Sequence, residues 1–291
     1  PRAPLMTAHL SWNLVDDVRQ LLQFPFMVNA LRAGTIVAIV AGAIGYFMVL
    51  RKESFAGHTL ALIGFPGAAG ATWLGVNQSF GFFGFCIAGA LVIGSLPASR
   101  YSERSAVIGT VQAFALACGL LFVSLYHGFL SGLNDMLFGT IIGITSTQVL
   151  VLLVAGAIAL AVLAVIGRPL LFASVDIDVA RARGVRVRLV GGLFLVLLGI
   201  AAAGTSQVTG SLLVFALLVA PAGTAVRLTA NPLAGVALSV GIALLVTWLG
   251  EGVAYFSPYP IGFWVTTFAF ALFLLATGYR MLADRRAVNR C

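Results

Sequence analysis

Charged residues are scarce in this sequence of 291 residues: they make up 9% of it, while hydrophobic residues make up 60%. A single water-soluble domain cannot bury that much apolar surface, so the composition excludes an ordinary globular protein. The mean hydropathy of +1.06 points the same way. The chain is therefore predicted to be an integral membrane protein.

Several motifs that carry chemistry are also missing. Lys52 is the only lysine, and it lies in no GxxxxGK[ST] loop that could bind the phosphates of ATP. Cys86, Cys118 and Cys291 show neither CxxC nor metal-ligand spacing, so we interpret them as apolar filler residues. No serine motif accompanies the histidines, which disfavours an intramembrane hydrolase. If ATP drives this protein, another polypeptide must hydrolyse it.

Carboxylates are nearly absent from the apolar segments. Outside the N-terminal region and the predicted cytoplasmic segments, the acidic residues are Asp135 and Glu251, and we place both near the outer face. A proton- or sodium-coupled carrier usually keeps an ionisable residue near the bilayer centre. The pattern therefore argues mildly against a secondary, ion-coupled carrier, which stays as the alternative to an ATP-driven transporter.

Nine apolar segments are long enough to cross a bilayer, which takes roughly 20 residues each. They lie at about 28–50, 57–76, 82–98, 106–126, 149–167, 189–204, 210–226, 233–250 and 260–279. Of the 17 basic residues, all but Arg2, Arg19 and Arg32 fall on one side of this arrangement. The positive-inside rule places that side in the cytoplasm, with the N-terminus outside and the C-terminus inside. The net charge of +8 thus reflects membrane topology, and a nucleic-acid partner is disfavoured.

The predicted fold is an all-α integral membrane protein, a polytopic bundle of about 8–9 transmembrane helices. Residues 27–280 form a single transmembrane domain, and residues 281–291 form a cytoplasmic tail. Residues 1–26 form an N-terminal segment with a short amphipathic helix at the membrane interface. Its apolar face comprises Leu14, Val18, Leu21 and Leu22. The apolar core at 138–144 is too short for a span, so it is predicted to be a re-entrant or partial helix.

The cytoplasmic segment at 168–189 has the signals of a short capped helix at about 174–184. Ser174 is a candidate N-cap, Asp176 and Asp178 fall in the first turn, arginines follow, and Gly184 ends the helix. A solvated loop helix would need no partner. The caps at both ends favour a rigid docking element for a cytosolic protein.

Two spans contain a proline followed by small residues. Pro66 and Gly67 lie in "GFPGAAGA", and Pro221 and Ala222 lie in "LLVAPAGTA". Such stretches permit close helix approach and interrupt the backbone hydrogen-bond ladder. Tight packing and direct contact with a transported substrate both remain open for these residues.

His58 is the histidine that lies within a predicted span. It follows the basic pair at the cytoplasmic end by roughly 10 Å at the helical rise, which places it in the inner part of the membrane. An imidazole there either satisfies a backbone carbonyl or binds a ligand, and a lone histidine does not by itself define a metal site.

Five stretches, taken in order and spacing, carry a resemblance to a known family. They are "VLRKESFAGHTLALIGFPGAAGA", "SAVIGTVQAFALACGLLFVSL", "DMLFGTIIGIT", "SVDIDVARARGV" and "GSLLVFALLVAPAGTAVRL". They resemble the permease subunits of ABC importers for zinc, manganese and related divalent metals, the ABC-3 group. The likeness extends over about residues 27–280.

The resemblance implies a type II ABC importer-like permease of the bacterial plasma membrane, which is a transport subunit and not an enzyme. It implies a homodimer with a central pathway that works by alternating access, two cytosolic ATP-binding subunits and an extracytoplasmic solute-binding protein. No permanently bound cofactor is expected. The ATPase-coupling residues that it implies are Asp176, Asp178, Ala180, Arg181, Arg183 and Gly184. A secondary, ion-coupled metal carrier is the alternative.

One position departs from the family pattern. The second-span motif of the family carries a carboxylate and, one helical turn later, a histidine, a pair that can clamp a divalent cation. Here His58 takes the first position and Leu62 the second, so each protomer supplies one ligand at this level. A homodimer would bring two imidazoles toward its axis, which favours zinc over manganese, because manganese prefers oxygen ligands.

Overall fold

The computed structural model describes residues 14–96, 101–126, 144–210 and 214–288. Every regular element in these ranges is an α-helix, which confirms the predicted fold class. In chain order the helices are α1 Leu14–Gln23, α2 Pro25–Leu50, α3 Ser54–Trp73, α4 Gln78–Ser95, α5 Tyr101–Leu125, α6 Ser146–Val175, α7 Ile177–Ala182, α8 Val187–Thr209, α9 Val214–Leu228, α10 Pro232–Phe256 and α11 Ile261–Val288.

Within the described residues, seven helices are long and apolar enough to cross a membrane: α2, α4, α5, α6, α8, α10 and α11. Helix α9 is apolar but has 15 residues. Helix α3 has 20 residues, but its glycines, its proline and its histidine lower its hydropathy. Each of the nine predicted spans therefore corresponds to a helix, and seven of them meet the criteria for a full span.

Helix α2 occupies the centre of the bundle. It packs against α6, α8, α9 and α10, and 72% of its apolar stretch is buried. Small residues line its contacts: a side chain at Gly45 would overlap the carbonyl oxygen of Leu218, and one at Gly42 would lie 2.7 Å from the Cα of Val240. Because these positions lack side chains, the backbones of α9 and α10 approach α2 closely.

Helices α3 and α4 cross at a pair of glycines. A Cβ atom at Gly67 would overlap the carbonyl oxygen of Gly81 and lie 2.6 Å from the Cβ of Phe85. One residue earlier, Pro66 packs against α5, where a Cβ at Gly119 would lie 2.9 Å from its ring. The observed contacts of Pro66 and Gly67 are therefore helix-packing contacts, and direct contact with a substrate stays a prediction.

We expect Gly67→Ala to destabilise the protein by about 1–3 kcal/mol, because the added methyl group overpacks the crossing of α3 and α4. Gly84→Ala on α4 is the matched control, since a Cβ there meets nothing within 4 Å. Thermal unfolding of the purified protein in detergent measures both variants. Equal midpoints for the two substitutions would contradict the packing role of Gly67.

Two predicted features fall partly outside the described residues. Helix α1 lies within the predicted 1–26 segment, and it places Leu21 in the buried core while Leu22 is 54% exposed. The side chains of residues 14–18 lie outside the described residues, so the apolar face and its interfacial role stay predictions. The predicted re-entrant core at 138–144 also lies outside them, except for Ile144, which is buried and precedes α6.

Candidate metal pathway and coupling segment

His58 is the fifth residue of α3 and faces α9. Its ring meets Phe215 edge-on, with the ring centroids 5.3 Å apart and the planes at 73°. The Nδ1 atom of His58 is buried and has no hydrogen-bond partner among the described residues. The interpretation that this nitrogen satisfies a backbone carbonyl therefore finds no support in the described part of the chain.

The polar groups next to His58 on α3 are already paired. The Thr59 hydroxyl donates a hydrogen bond of 2.7 Å to Oε1 of Gln112 on α5, and Cys86 Sγ of α4 contacts the Leu60 carbonyl oxygen at 3.2 Å. Leu62, one turn after His58, is half-buried and brings no ligand atom in its side chain. His58 thus differs from these neighbours, because its Nδ1 has no partner among the described residues.

The arrangement around His58 is not a complete metal site. No group of three or more His, Cys, Asp or Glu side chains comes together anywhere in the part of the chain that the structure describes. A stable site for a transition metal ordinarily takes three or four such ligands. Further ligands for an ion at His58 must come from another subunit, from water or from residues outside the described ranges.

Pro221 and Ala222 lie on α9, the helix that carries Phe215, and both are buried. Beside them, a Cβ at Gly223 would be in ordinary contact with Phe273 of α11, at 3.4 Å. The structure thus places the second proline motif inside the bundle, on the same helix whose Phe215 packs on His58. Its role in the pathway stays a prediction.

An ion-pair cluster ties the start of α3 to α5 on the predicted cytoplasmic side. Glu53, which is 7% exposed, accepts hydrogen bonds of 3.1 Å from Nη2 of Arg51 and from Nη2 of Arg104. The Arg51 guanidinium also lies over the Phe194 ring of α8, 5.4 Å from its centroid. A cavity of about 310 Å³ adjoins the cluster and reaches Ile177 of α7. The cluster therefore lies between α7 and α3, the helix that carries His58.

The short helix predicted at 174–184 is α7, which spans Ile177–Ala182 and is shorter than predicted. Ser174 is not its N-cap: the Ser174 hydroxyl donates to the Leu170 carbonyl at 2.6 Å inside α6, which continues to Val175. Asp176 is the N-cap instead, because its Oδ1 accepts from the backbone N–H groups of Asp178 and Val179 at 2.9 and 3.0 Å.

The predicted helix stop at Gly184 is confirmed for α7. Its φ of +78° lies in the left-handed region that glycine adopts without strain. The backbone N–H groups of Gly184 and Val185 bond to the carbonyls of Arg181 and Ala180, at 2.9 and 3.0 Å, and close the helix.

The surface of α7 combines apolar and basic groups. Ala180 is buried against the bundle and fixes the helix, whereas Ile177 and Val179 are each 49% exposed. Arg181 and Arg183 are exposed as well, and the contact of Arg181 with Asp178, at 3.6 Å between two exposed side chains, contributes little. A small helix that presents apolar and arginine side chains together has the composition of a protein interface.

Sequence reasoning missed the burial of Glu251 inside a helix. The predicted span ended at residue 250, and Glu251 was placed near the outer face. The structure instead continues α10 to Phe256, with Glu251 inside the helix and fully buried. The apolar residues Val253 to Phe256, which follow the acid, were the available signal that the helix extends past it.

Comparison with known proteins identifies the family. The model of the ABC 3 transport family matches residues 23–280. The chain is 30% identical over 264 residues to the "Manganese import system permease protein ScaB" of Streptococcus parasanguinis, which covers 90% of this chain and 94% of that protein. It is 30% identical over 220 residues to the "Manganese transport system membrane protein MntC" of Halalkalibacterium halodurans, which covers 75% of this chain and 74% of that protein.

A solved structure shares the fold. The chain matches "PsaBC from Streptococcus pneumoniae in complex with Fab" with a TM-score of 0.81 and 27% sequence identity, over 90% of this chain and 95% of that one. The family match and the structural match both extend over nearly the whole helical bundle. This chain belongs to the ABC 3 transport family and is a multi-pass membrane permease of that family, as the sequence resemblance predicts.

Proposed function

We propose that this chain forms the membrane pathway of an ATP-driven importer of divalent transition metal ions. The observation that carries the proposal is the family match over residues 23–280, together with relatives whose names describe manganese import and transport. As a permease the chain is not itself an ATPase, and the sequence has no phosphate-binding loop. ATP hydrolysis belongs to a separate subunit.

The coupling helix α7 is the proposed docking site for the ATP-binding subunits. Its described geometry supports this role, since a capped helix with exposed Ile177, Val179 and Arg183 is both rigid and accessible. From α7, movement would reach α3 through the neighbouring Glu53 ion pairs. A solute-binding protein would deliver the ion at the opposite face, with the N-terminus outside and the C-terminus in the cytoplasm.

We also propose a second copy of this chain in the assembly. The described residues offer an imidazole with an unpaired nitrogen, at His58, but no group of three or more His, Cys, Asp or Glu side chains that would complete a metal site. Two copies related by a central axis would bring two such imidazoles together. The homodimer is thus proposed from the incompleteness of the site in one chain.

Two observations favour different metals as the transported ion. The names of the relatives favour manganese. The imidazole at His58 and the apolar Leu62 one turn later favour zinc, because manganese prefers oxygen ligands. We therefore propose the class of divalent first-row metal ions as the cargo, with zinc and manganese as its two expected members.

The ATPase rate of the assembled complex tests this proposal. We expect zinc or manganese, presented on the solute-binding protein, to stimulate ATP hydrolysis over the rate with the empty protein. Iron and calcium are compared in the same assay, and the ranking of the four ions identifies the cargo. Equal ATPase rates with and without every metal would contradict a metal importer.

A further inference from the structure

Glu251 is a buried carboxyl group that the proposed transport pathway does not use. It lies in α10, about 8 Å before the last residue of that helix at the helical rise, and it has no exposed surface. Its carboxyl group packs on the backbone of α2 at Gly34, where a side chain would overlap Oε1 of Glu251. Gly34 therefore makes room for the acid between the two helices.

No polar partner compensates this carboxyl group within the described residues. Both of its oxygens lack a hydrogen bond, and so does the buried hydroxyl of Thr247 one turn earlier. On α2 the nearest charged residue is Arg32, which is exposed and forms no ion pair with Glu251 in this structure. On α10 itself, Tyr255 lies one turn later and packs its ring near Phe24.

The other helices that pack on α10 place no charged residue near Glu251 in the described part of the chain. The charged residue of α9 is Arg227, at the end of α9 that adjoins the start of α10. On α11 the titratable residues begin at Tyr279, far from the α11 end that adjoins Glu251. An ionised carboxylate would thus lie in a largely apolar interface without a paired cation or a hydrogen-bonded donor, which is strongly unfavourable, whereas the neutral acid is tolerated.

The hydrogen bonds between α2 and α10 differ from one end of their interface to the other. At its middle, the Ser239 hydroxyl of α10 donates to the Gly42 carbonyl of α2 at 2.7 Å in a buried contact. At the level of Glu251 the buried groups are unpaired, and a bond of 2.9 Å from Trp248 Nε1 to the Thr35 hydroxyl closes the exposed edge. If α2 and α10 separated at this end, one described side-chain hydrogen bond, between Trp248 and Thr35, would break, and water could reach Glu251.

We propose that Glu251 is a proton-binding site linked to the transport cycle, an inference that rests on the proposed function. While α2 and α10 are packed as they are here, Glu251 holds its proton as a neutral acid. When this end of the interface opens, the O–H bond breaks, the proton passes to a water molecule and the electron pair stays on the carboxylate. Repacking of the helices takes a proton back from water, so each cycle binds and releases one proton at this residue.

Infrared spectroscopy of the purified protein in lipid tests the protonation state directly. We expect the wild-type protein at neutral pH to show the carbonyl band of a protonated carboxyl group, and Glu251→Gln to lose that band. Glu53→Gln is the matched control: Glu53 is buried but paired with two arginines, so its loss should leave the band intact. Glu251→Leu repeats the measurement with an apolar side chain. If the wild-type protein shows no band that depends on Glu251, the proposal is wrong.

The link to transport is measured as ATP-driven metal uptake into proteoliposomes at different outer pH values. Acidic solution should hold the α2–α10 interface closed and slow uptake by the wild-type complex, by up to about tenfold per pH unit for one titrating group. Glu251→Gln should show a flat profile over the same range. Identical profiles for the two proteins would overturn the link. Absence of uptake in every variant at every pH would instead refute the proposed function, and the infrared result would stand on its own.

Discussion

Replacing both Arg181 and Arg183 with glutamate is expected to abolish ATP-driven metal uptake while the protein remains folded in the membrane. Both side chains are exposed, Arg181 in the last turn of α7 and Arg183 at its C-cap, and neither side chain makes the capping contacts of Asp176 and Gly184. The substitutions therefore change the proposed docking surface without removing the helix. An arginine at the centre of an interface contributes about 2 kcal/mol or more, so each reversal should weaken docking by roughly 30-fold.

The measurement for this prediction is co-purification of the ATP-binding subunit with the permease, together with uptake in proteoliposomes. Arg285→Glu is the matched control, because it reverses the charge of an exposed arginine near the end of α11, away from α7. It should retain both docking and uptake. Full uptake by the double variant Arg181→Glu and Arg183→Glu would remove the docking role from α7.

His58→Ala is expected to lower metal uptake at least about tenfold. Residues that only orient a metal ligand typically cost about 10–100-fold when they are replaced, so loss of a ligand itself should cost no less. Phe215→Leu is the control for packing, since it removes the ring that contacts His58 at 5.3 Å and leaves the imidazole in place. It should reduce uptake far less than His58→Ala.

A variant that adds a second metal ligand next to His58 tests the same prediction in the opposite direction. Leu62→His places a second imidazole one helical turn after the first, on the same face of α3. It should tighten zinc binding to the assembled complex, measured by calorimetry, and His58→Ala should weaken it. Wild-type uptake and zinc affinity in His58→Ala would assign His58 to packing against Phe215 alone.

The sequence predicted the helices well because long apolar runs in a membrane protein have few alternatives to the α-helix. The ends of the helices were harder. Arg168 and Pro169 suggested that a span stops at 167, yet α6 runs to Val175. A proline inside a helix removes only one backbone hydrogen bond, so α6 continues past Pro169, and Ser174, which could have capped a new helix, bonds to the Leu170 carbonyl within α6.

The candidate site was predictable in part. The position of His58 on α3 and the Gly184 stop followed from local sequence, because helical rise and left-handed glycines act over a few residues. The ring of Phe215 against His58 and the ion pairs of Glu53 with Arg104 join distant parts of the chain. Such contacts depend on how the helices assemble, which one sequence does not encode in any local pattern.

Glu251 bears on one argument made from the sequence. The apparent absence of acids within the spans argued against an ion-coupled carrier, but the structure buries this carboxyl group inside α10. Glu251 nevertheless lies about 8 Å from the end of α10 and not near its middle, so it does not supply the central ionisable residue of an ion-coupled carrier, and the case for an ATP-driven importer rests on the family match. The source of energy for transport can be measured directly.

Metal uptake into proteoliposomes made with and without the ATP-binding subunit tests the central claim most directly. Zinc or manganese delivered on the solute-binding protein should accumulate only when both subunits are present and ATP is hydrolysed. A non-hydrolysable ATP analogue should abolish accumulation. Metal accumulation by this chain alone, driven by a proton gradient without ATP, would contradict the account and identify a secondary carrier.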